Sequence, residues 1–166
     1  MTAMNSSRRA TVWVSVIGVL AVATYAAVAA LQIMVLNPLA AAPGRTLDQI
    51  RADMGGAGES LSPASVLGIL GIGVVLAVVV AIVAIIGRMP AALAAMVFLS
   101  LVVLGTPGYF GASFGAGMGL ADTYGIGGAD YSPWARPLYA ASLVALGVLL
   151  VLAVREIRRR RPDTKV

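Results

Sequence analysis

The sequence predicts an all-α integral membrane protein with four transmembrane helices, both termini inside, and two sizeable outer loops. Three observations carry this. The 166-residue chain is 60% hydrophobic and only 11% charged, whereas soluble domains run at about 45–50% apolar and about 25% charged. Its mean hydropathy is +0.94. Its charges fall between four uncharged stretches rather than within them, so a lipid solvent explains the pattern and water does not.

The first stretch, residues 10–36, carries no charge and is roughly 40 Å long as a helix. That exceeds a hydrocarbon core of about 30 Å, which predicts tilt or projection beyond the bilayer. Asn37-Pro38 reads as its stop, because the residue before a proline is disfavoured in a helix. Ser7-Arg8-Arg9 and Ala40-Ala41-Ala42 offer a rival reading as an export signal with a cleavage site. An apolar region of spanning length argues against it, since signal cores are about 7–15 residues.

The first outer loop, residues 37–63, contains Thr46-Leu47-Asp48-Gln49, which has capping-box spacing. Leu47, Ile50 and Met54 then share one helical face before Gly55-Gly56. A short amphipathic outer helix follows, lying on the bundle or on lipid. Ser62-Pro63 gives an N-cap and a first-position proline for the second span, residues 64–87. The turn Gly87-Arg88-Met89-Pro90 leads to a third span, residues 91–106, which Pro107-Gly108 interrupts. Residues 109–121 are uncharged and could extend it as a re-entrant or interfacial segment. Otherwise residues 107–137 form a Gly/Tyr-rich outer loop. The fourth span, residues 138–154, is flanked by Trp134, Tyr139 and Arg155 and precedes a basic tail, residues 155–166. The whole chain is a single membrane domain.

Charge sets the orientation. Of the 12 Lys and Arg residues, only Arg45, Arg51 and Arg136 fall on the side of the long loops; the other nine lie on the side of the termini. The positive-inside rule therefore predicts cytoplasmic termini. The basic net charge thus belongs to membrane orientation, and no nucleic-acid partner is expected. The Arg-over-Lys bias and the Ala, Val and Gly content point to a GC-rich bacterial genome, hence to a bacterial cytoplasmic membrane.

Chemistry is bounded by what is missing. With no His and no Cys, the usual general base, the commonest metal ligand and all thiol chemistry are absent. Gly111-Ala112-Ser113-Phe114-Gly115 matches the nucleophile-elbow pattern but has no base to activate the serine. Thr123-Tyr124-Gly125-Ile126-Gly127 matches the spacing of a potassium-channel filter. The glycines before it disfavour the pore helix such a filter needs. Asp122 and Asp130 with the nearby tyrosines do not follow a calcium-loop pattern. No catalytic, cofactor-binding or metal-ligating set emerges, and no enzyme and no cofactor are predicted.

What remains is packing and partners. Gly18, Tyr25 and Gln32 recur every seven residues on the first span, and Gly73, Ala77 and Ala81 line the second; such faces join helices in lipid. Substituting Gly73 by Leu is expected to disrupt folding or assembly. Gly111, Gly115 and Gly119 have small-xxx-small spacing, useful only if that segment is helical; a flexible loop is the favoured reading. Asp122, Tyr124, Gly125, Gly127 and Asp130 are the candidate residues of the outer loop. Arg155, Arg158, Arg159, Arg160 and Arg161 form a juxtamembrane cluster suited to anionic lipid headgroups. No Asp, Glu, Lys or Arg falls inside a span, which disfavours a proton-driven carrier. The expectation is a non-catalytic accessory or scaffold subunit of a larger membrane assembly, partnered by another membrane protein or by copies of itself. The alternative is a small oligomeric channel or permease with residues 107–128 near its mouth.

Overall fold

The computed structural model describes residues 2–160, with side chains described for residues 8–159. It is all-helical, with no strand among the described residues. The elements are α1 (Thr2–Leu31), a π-turn (Gln32–Leu36), α2 (Asn37–Ala41), α3 (Leu47–Gly56), α4 (Pro63–Ile86), α5 (Ala91–Val103), α6 (Gly105–Tyr124) and α7 (Ala135–Arg160). Four helical stretches, Arg8–Ala41, Pro63–Ile86, Ala91–Tyr124 and Ala135–Arg159, are long and apolar enough to cross a membrane. This is the architecture of a multi-pass membrane protein. Outward-facing Leu67, Ile72, Ile82, Ile86, Leu143 and Val144 are exposed all around it, a surface that water would not tolerate and lipid does.

The first helix does not stop at Asn37-Pro38. Proline removes an N–H and pushes its ring against the preceding turn. Here the chain widens into a π-turn instead, with the Asn37 N–H donating to the Gln32 carbonyl, and continues to Ala41. The π-turn has a second effect. Residues five apart in an α-helix point about 140° apart; the wider turn brings Gln32 and Asn37 to the same side, and both are buried.

The larger correction concerns residues 107–124, expected as the start of a loop. They are helical to Tyr124, so α5 and α6 form one long, interrupted rod. The interruption is at Leu104, and it places Pro107 in the first turn of α6, where an N–H has no helical acceptor to lose. The Ser142 hydroxyl of α7 donates to the Val102 carbonyl at 2.8 Å beside the break, as expected where backbone must be satisfied without water. The glycine cost is offset by close approach: at Gly105 an added Cβ would lie 2.7 Å from the Tyr25 ring.

Local signals elsewhere appear as expected. Thr46 and Gln49 close both arms of the capping box on α3, and Ser62 accepts from the Ser65 N–H at the start of α4. In the α4–α5 turn Arg88 takes a left-handed conformation, φ 52°. Helix α7 is longer at both ends than the expected span, running from Ala135 to Arg160.

Packing joins α1 to α4 and α5, α5 to α7, and α4 to α6. The start of α1 meets the α4–α5 turn through a 2.8 Å bond from the Thr11 hydroxyl to the Met89 carbonyl. We call this the terminal end, and the opposite one, carrying α3 and the α6–α7 connection, the loop end. The two long stretches have 34 residues each, against 24 and 25 for the others. At 1.5 Å per residue they are about 50 Å long against about 37 Å. The excess projects at the loop end, and α3 with the connections folds against it to form a crown.

Candidate functional site

Polar chemistry concentrates where the crown meets the bundle. Gln32 and Asn37 arrive there on the π-turn and α2, Tyr109 on the second turn of α6, Tyr139 near the start of α7, and Asp130 on the α6–α7 connection. Asp130 accepts hydrogen bonds from both tyrosine hydroxyls, Tyr109 to Oδ1 at 2.6 Å and Tyr139 to Oδ2 at 2.7 Å. The two rings meet edge to face, centroids 5.7 Å apart, a favourable arrangement. Asn37 Oδ1 accepts from the backbone N–H groups of Tyr131 and Ser132 at 2.7 and 3.2 Å. The Gln32 amide donates to the Ser132 carbonyl at 3.4 Å. One loop is thus pinned to three helices by side chains from each.

A second clamp holds α3. Ile50 and Met54 are fully buried beneath it with Leu120 of α6. At its rim the Tyr124 hydroxyl donates to Asp53 Oδ2 at 2.9 Å, and Arg45 pairs with the same oxygen at 3.4 Å. Gly119 makes room for this docking, since an added Cβ would lie 2.9 Å from Met54 Cε and 3.0 Å from Glu59 Oε2.

Two buried polar atoms lack partners among the described residues: Gln32 Oε1 in the crown and Ser15 Oγ near the terminal end. Among the described residues no cluster of three or more acidic side chains suits a metal ion.

The residues singled out from sequence separate into groups. Gly18, Tyr25 and Gln32 are all buried in the bundle. Phe98 of α5 sits over Gly18, Tyr25 packs on Gly105, and Gln32 reaches the crown. Ala77 is fully buried against Val22 and Phe98, with Ala81 beside it. Gly73 has no described atom within 4 Å of where its Cβ would stand, so the expected damage from Leu at this position has no basis within one chain. The glycine series splits too: Gly111 and Gly115 face outward, whereas Gly119 is buried.

The filter-like run is a helix end. Thr123 and Tyr124 close α6, Thr123 bonding back to the Gly119 carbonyl at 2.7 Å, and Gly125 is the left-handed C-cap at φ 63°. Gly127 accepts from the Tyr131 hydroxyl. Asp122 is exposed, and only Asp130 of the outer-loop acids joins the network. Ser113 lies mid-helix, bonded to the Phe110 carbonyl, without the sharp turn of a nucleophile elbow. At the terminal end Arg155, Arg158 and Arg159 are on the last turns of α7, Arg160 closes it, and Arg161 lies outside the described residues.

The sequence reading missed Tyr109, Tyr139, Asn37, Asp53 and Glu59. Tyr109 was hidden by the loop reading and Tyr139 by its resemblance to an interfacial aromatic. Asn37 read as a helix stop. The available signal was a weak one, three polar or aromatic groups at the ends of apolar stretches. No family model, curated protein or solved structure matches the chain.

Proposed function

We propose that this chain is a non-catalytic accessory or scaffold subunit of a larger membrane assembly. In this reading it lies in a bacterial cytoplasmic membrane with cytoplasmic termini and an external crown. The observation that carries it is the use of the crown's polar groups. Asp130, Asp53 and Asn37 are engaged in fastening the α6–α7 connection and α3 to the helices, a construction that makes a rigid external platform. The absence of His and Cys from the sequence supports the same reading. Its partners are the lipid bilayer and a second membrane protein or further copies of the chain, with anionic lipid at the basic tail and no role for nucleic acid.

A small oligomeric channel is the other reading. It draws no support from the T-x-G-x-G run, because Thr123 and Tyr124 lie inside α6 and Gly125 is its left-handed C-cap, not part of an extended filter.

The test is purification of the tagged protein from its native membrane into nanodiscs, with mass spectrometry of what co-elutes. A stoichiometric larger partner is expected. A partner-free homo-oligomer that conducts ions in liposomes overturns the proposal. Orientation is checked by single cysteines at Gly127 and Arg158, since the chain has no native thiol to remove. External labelling of the first alone is expected.

A further inference from the structure

At the base of the crown, where α4 begins, a half-open cleft of about 350 Å³ is walled by Met34, Arg51, Glu59, Leu61, Ser62 and Pro63. These residues come from the π-turn, α3, the α3–α4 connection and the first residue of α4. Its charges are unequally used. The Glu59 carboxylate lies against bare α6 backbone, since a Cβ on Gly119 would stand 3.0 Å from its Oε2 and 3.4 Å from its own Cβ. Among the described residues no hydrogen-bond donor or cation meets this half-buried carboxylate. Arg51 pairs only with the fully solvated Asp48, at 3.5 Å, a contact of little energy.

The surroundings define a ligand. An unpaired carboxylate on the wall of a cleft offers an approaching cation a charge partner. A guanidinium is the best side-chain match for a phosphate. Ser62 and Pro63 bring the positive end of the α4 dipole to the same wall. Met34, Leu61 and Pro63 supply an apolar floor, and Leu67 continues it outward along α4, 54% exposed. The cleft therefore sits where the apolar surface of α4 starts, at headgroup depth for a chain in lipid.

We propose that this cleft binds a phosphoethanolamine headgroup, its ammonium on Glu59 and its phosphate between Arg51 and the start of α4, and that the source is a membrane phospholipid. A primary ammonium brings three N–H donors to the carboxylate. A trimethylammonium brings none, and an anionic headgroup without a cation leaves Glu59 unpaired. The assignment stands apart from the accessory role, since a channel or scaffold would hold the lipid equally.

The experiment is native mass spectrometry of the purified full chain with equimolar phosphatidylethanolamine, phosphatidylcholine and phosphatidylglycerol. Wild type is expected to retain the ethanolamine lipid about tenfold over the other two, the scale of one charge-assisted hydrogen bond. Glu59→Gln should erase most of that preference, and Arg51→Gln, which removes the partner of a phosphate common to all three lipids, should weaken retention of each about tenfold. Arg51 is on the solvated face of α3, so its variant decides the matter even where Glu59→Gln fails to fold. Soluble phosphoethanolamine displacing the lipid at equal concentration supports the site and assigns it to the free headgroup; failure to displace assigns it to the lipid. Equal retention of the three lipids by wild type, or undiminished retention by Arg51→Gln, overturns the proposal.

Discussion

In the terminal half of the bundle, α1, α4 and α5 meet through Ala77, Ala84 and Ala94, all fully buried, with Phe98 laid across Gly18. In the crown the fully buried side chains include large ones: Tyr109, Ile50, Met54, Leu120 and Gln32. The first region is joined by close backbone approach and almost no polar contact. The second is joined by aliphatic burial together with hydrogen bonds accepted by Asp130, Asp53 and Asn37. The contrast follows the solvent. Among lipid tails, apolar side chains gain nothing by leaving lipid for protein, so only tight van der Waals fit and small residues hold helices together. Where water reaches, the hydrophobic effect returns, and a compact core can form under an amphipathic helix.

The comparison breaks most severely at Gly18. A Cβ there would collide with the Phe98 ring, so Gly18→Leu is expected to cost more than about 3 kcal/mol and to abolish folded yield by size-exclusion chromatography. Adding Phe98→Ala should recover part of it. In the crown, Asp130→Ala should cost about 2 kcal/mol, because it strands the buried Tyr109 hydroxyl. Tyr109→Phe should cost less, since water reaches the exposed Asp130 and Tyr139 still holds it. Thermal melts in one detergent compare the pair, and equal losses would refute the role given to Asp130.

Smaller effects sharpen the picture. Tyr124→Phe removes one bond to Asp53 and should cost about 0.5–1 kcal/mol, visible as faster hydrogen exchange confined to α3. Gly73→Leu should change monomer stability by less than about 0.5 kcal/mol, the ordinary value for a site with open space. An altered oligomer profile in that variant would place Gly73 at an interface between chains.

The lesson for reading such a sequence lies in which signals are local. The capping box at Thr46 and the Ser62-Pro63 start of α4 involve residues three or four apart, and the chain shows them directly. Pro38 and Pro107 depart from the local rule for one reason. Their effect depends on whether the backbone has another way to satisfy itself, through a π-turn in one case and a helix restart beside Ser142 in the other. The glycines of α6 depart from their propensity as well. A propensity cost of about 1 kcal/mol each applies to an isolated helix, and it yields where Met54, Glu59 and Tyr25 need bare backbone to approach. Of the polar cluster, Gln32 and Asp130 are visible as candidates, but nothing linear joins Asp130 to Tyr109 across 21 residues of chain, or Asn37 to Ser132 across 95.

The sequence by itself determined the solvent, the four apolar helices and the exclusion of His and Cys chemistry, because hydropathy and composition are sums over single residues. The tertiary structure alone decided that the long helices extend past the shorter ones, that a loop is fastened by Asp130 to two tyrosines, and that Glu59 is left unpaired beside a cleft. Those features arise from distances between residues far apart in the chain, and only packing sets such distances.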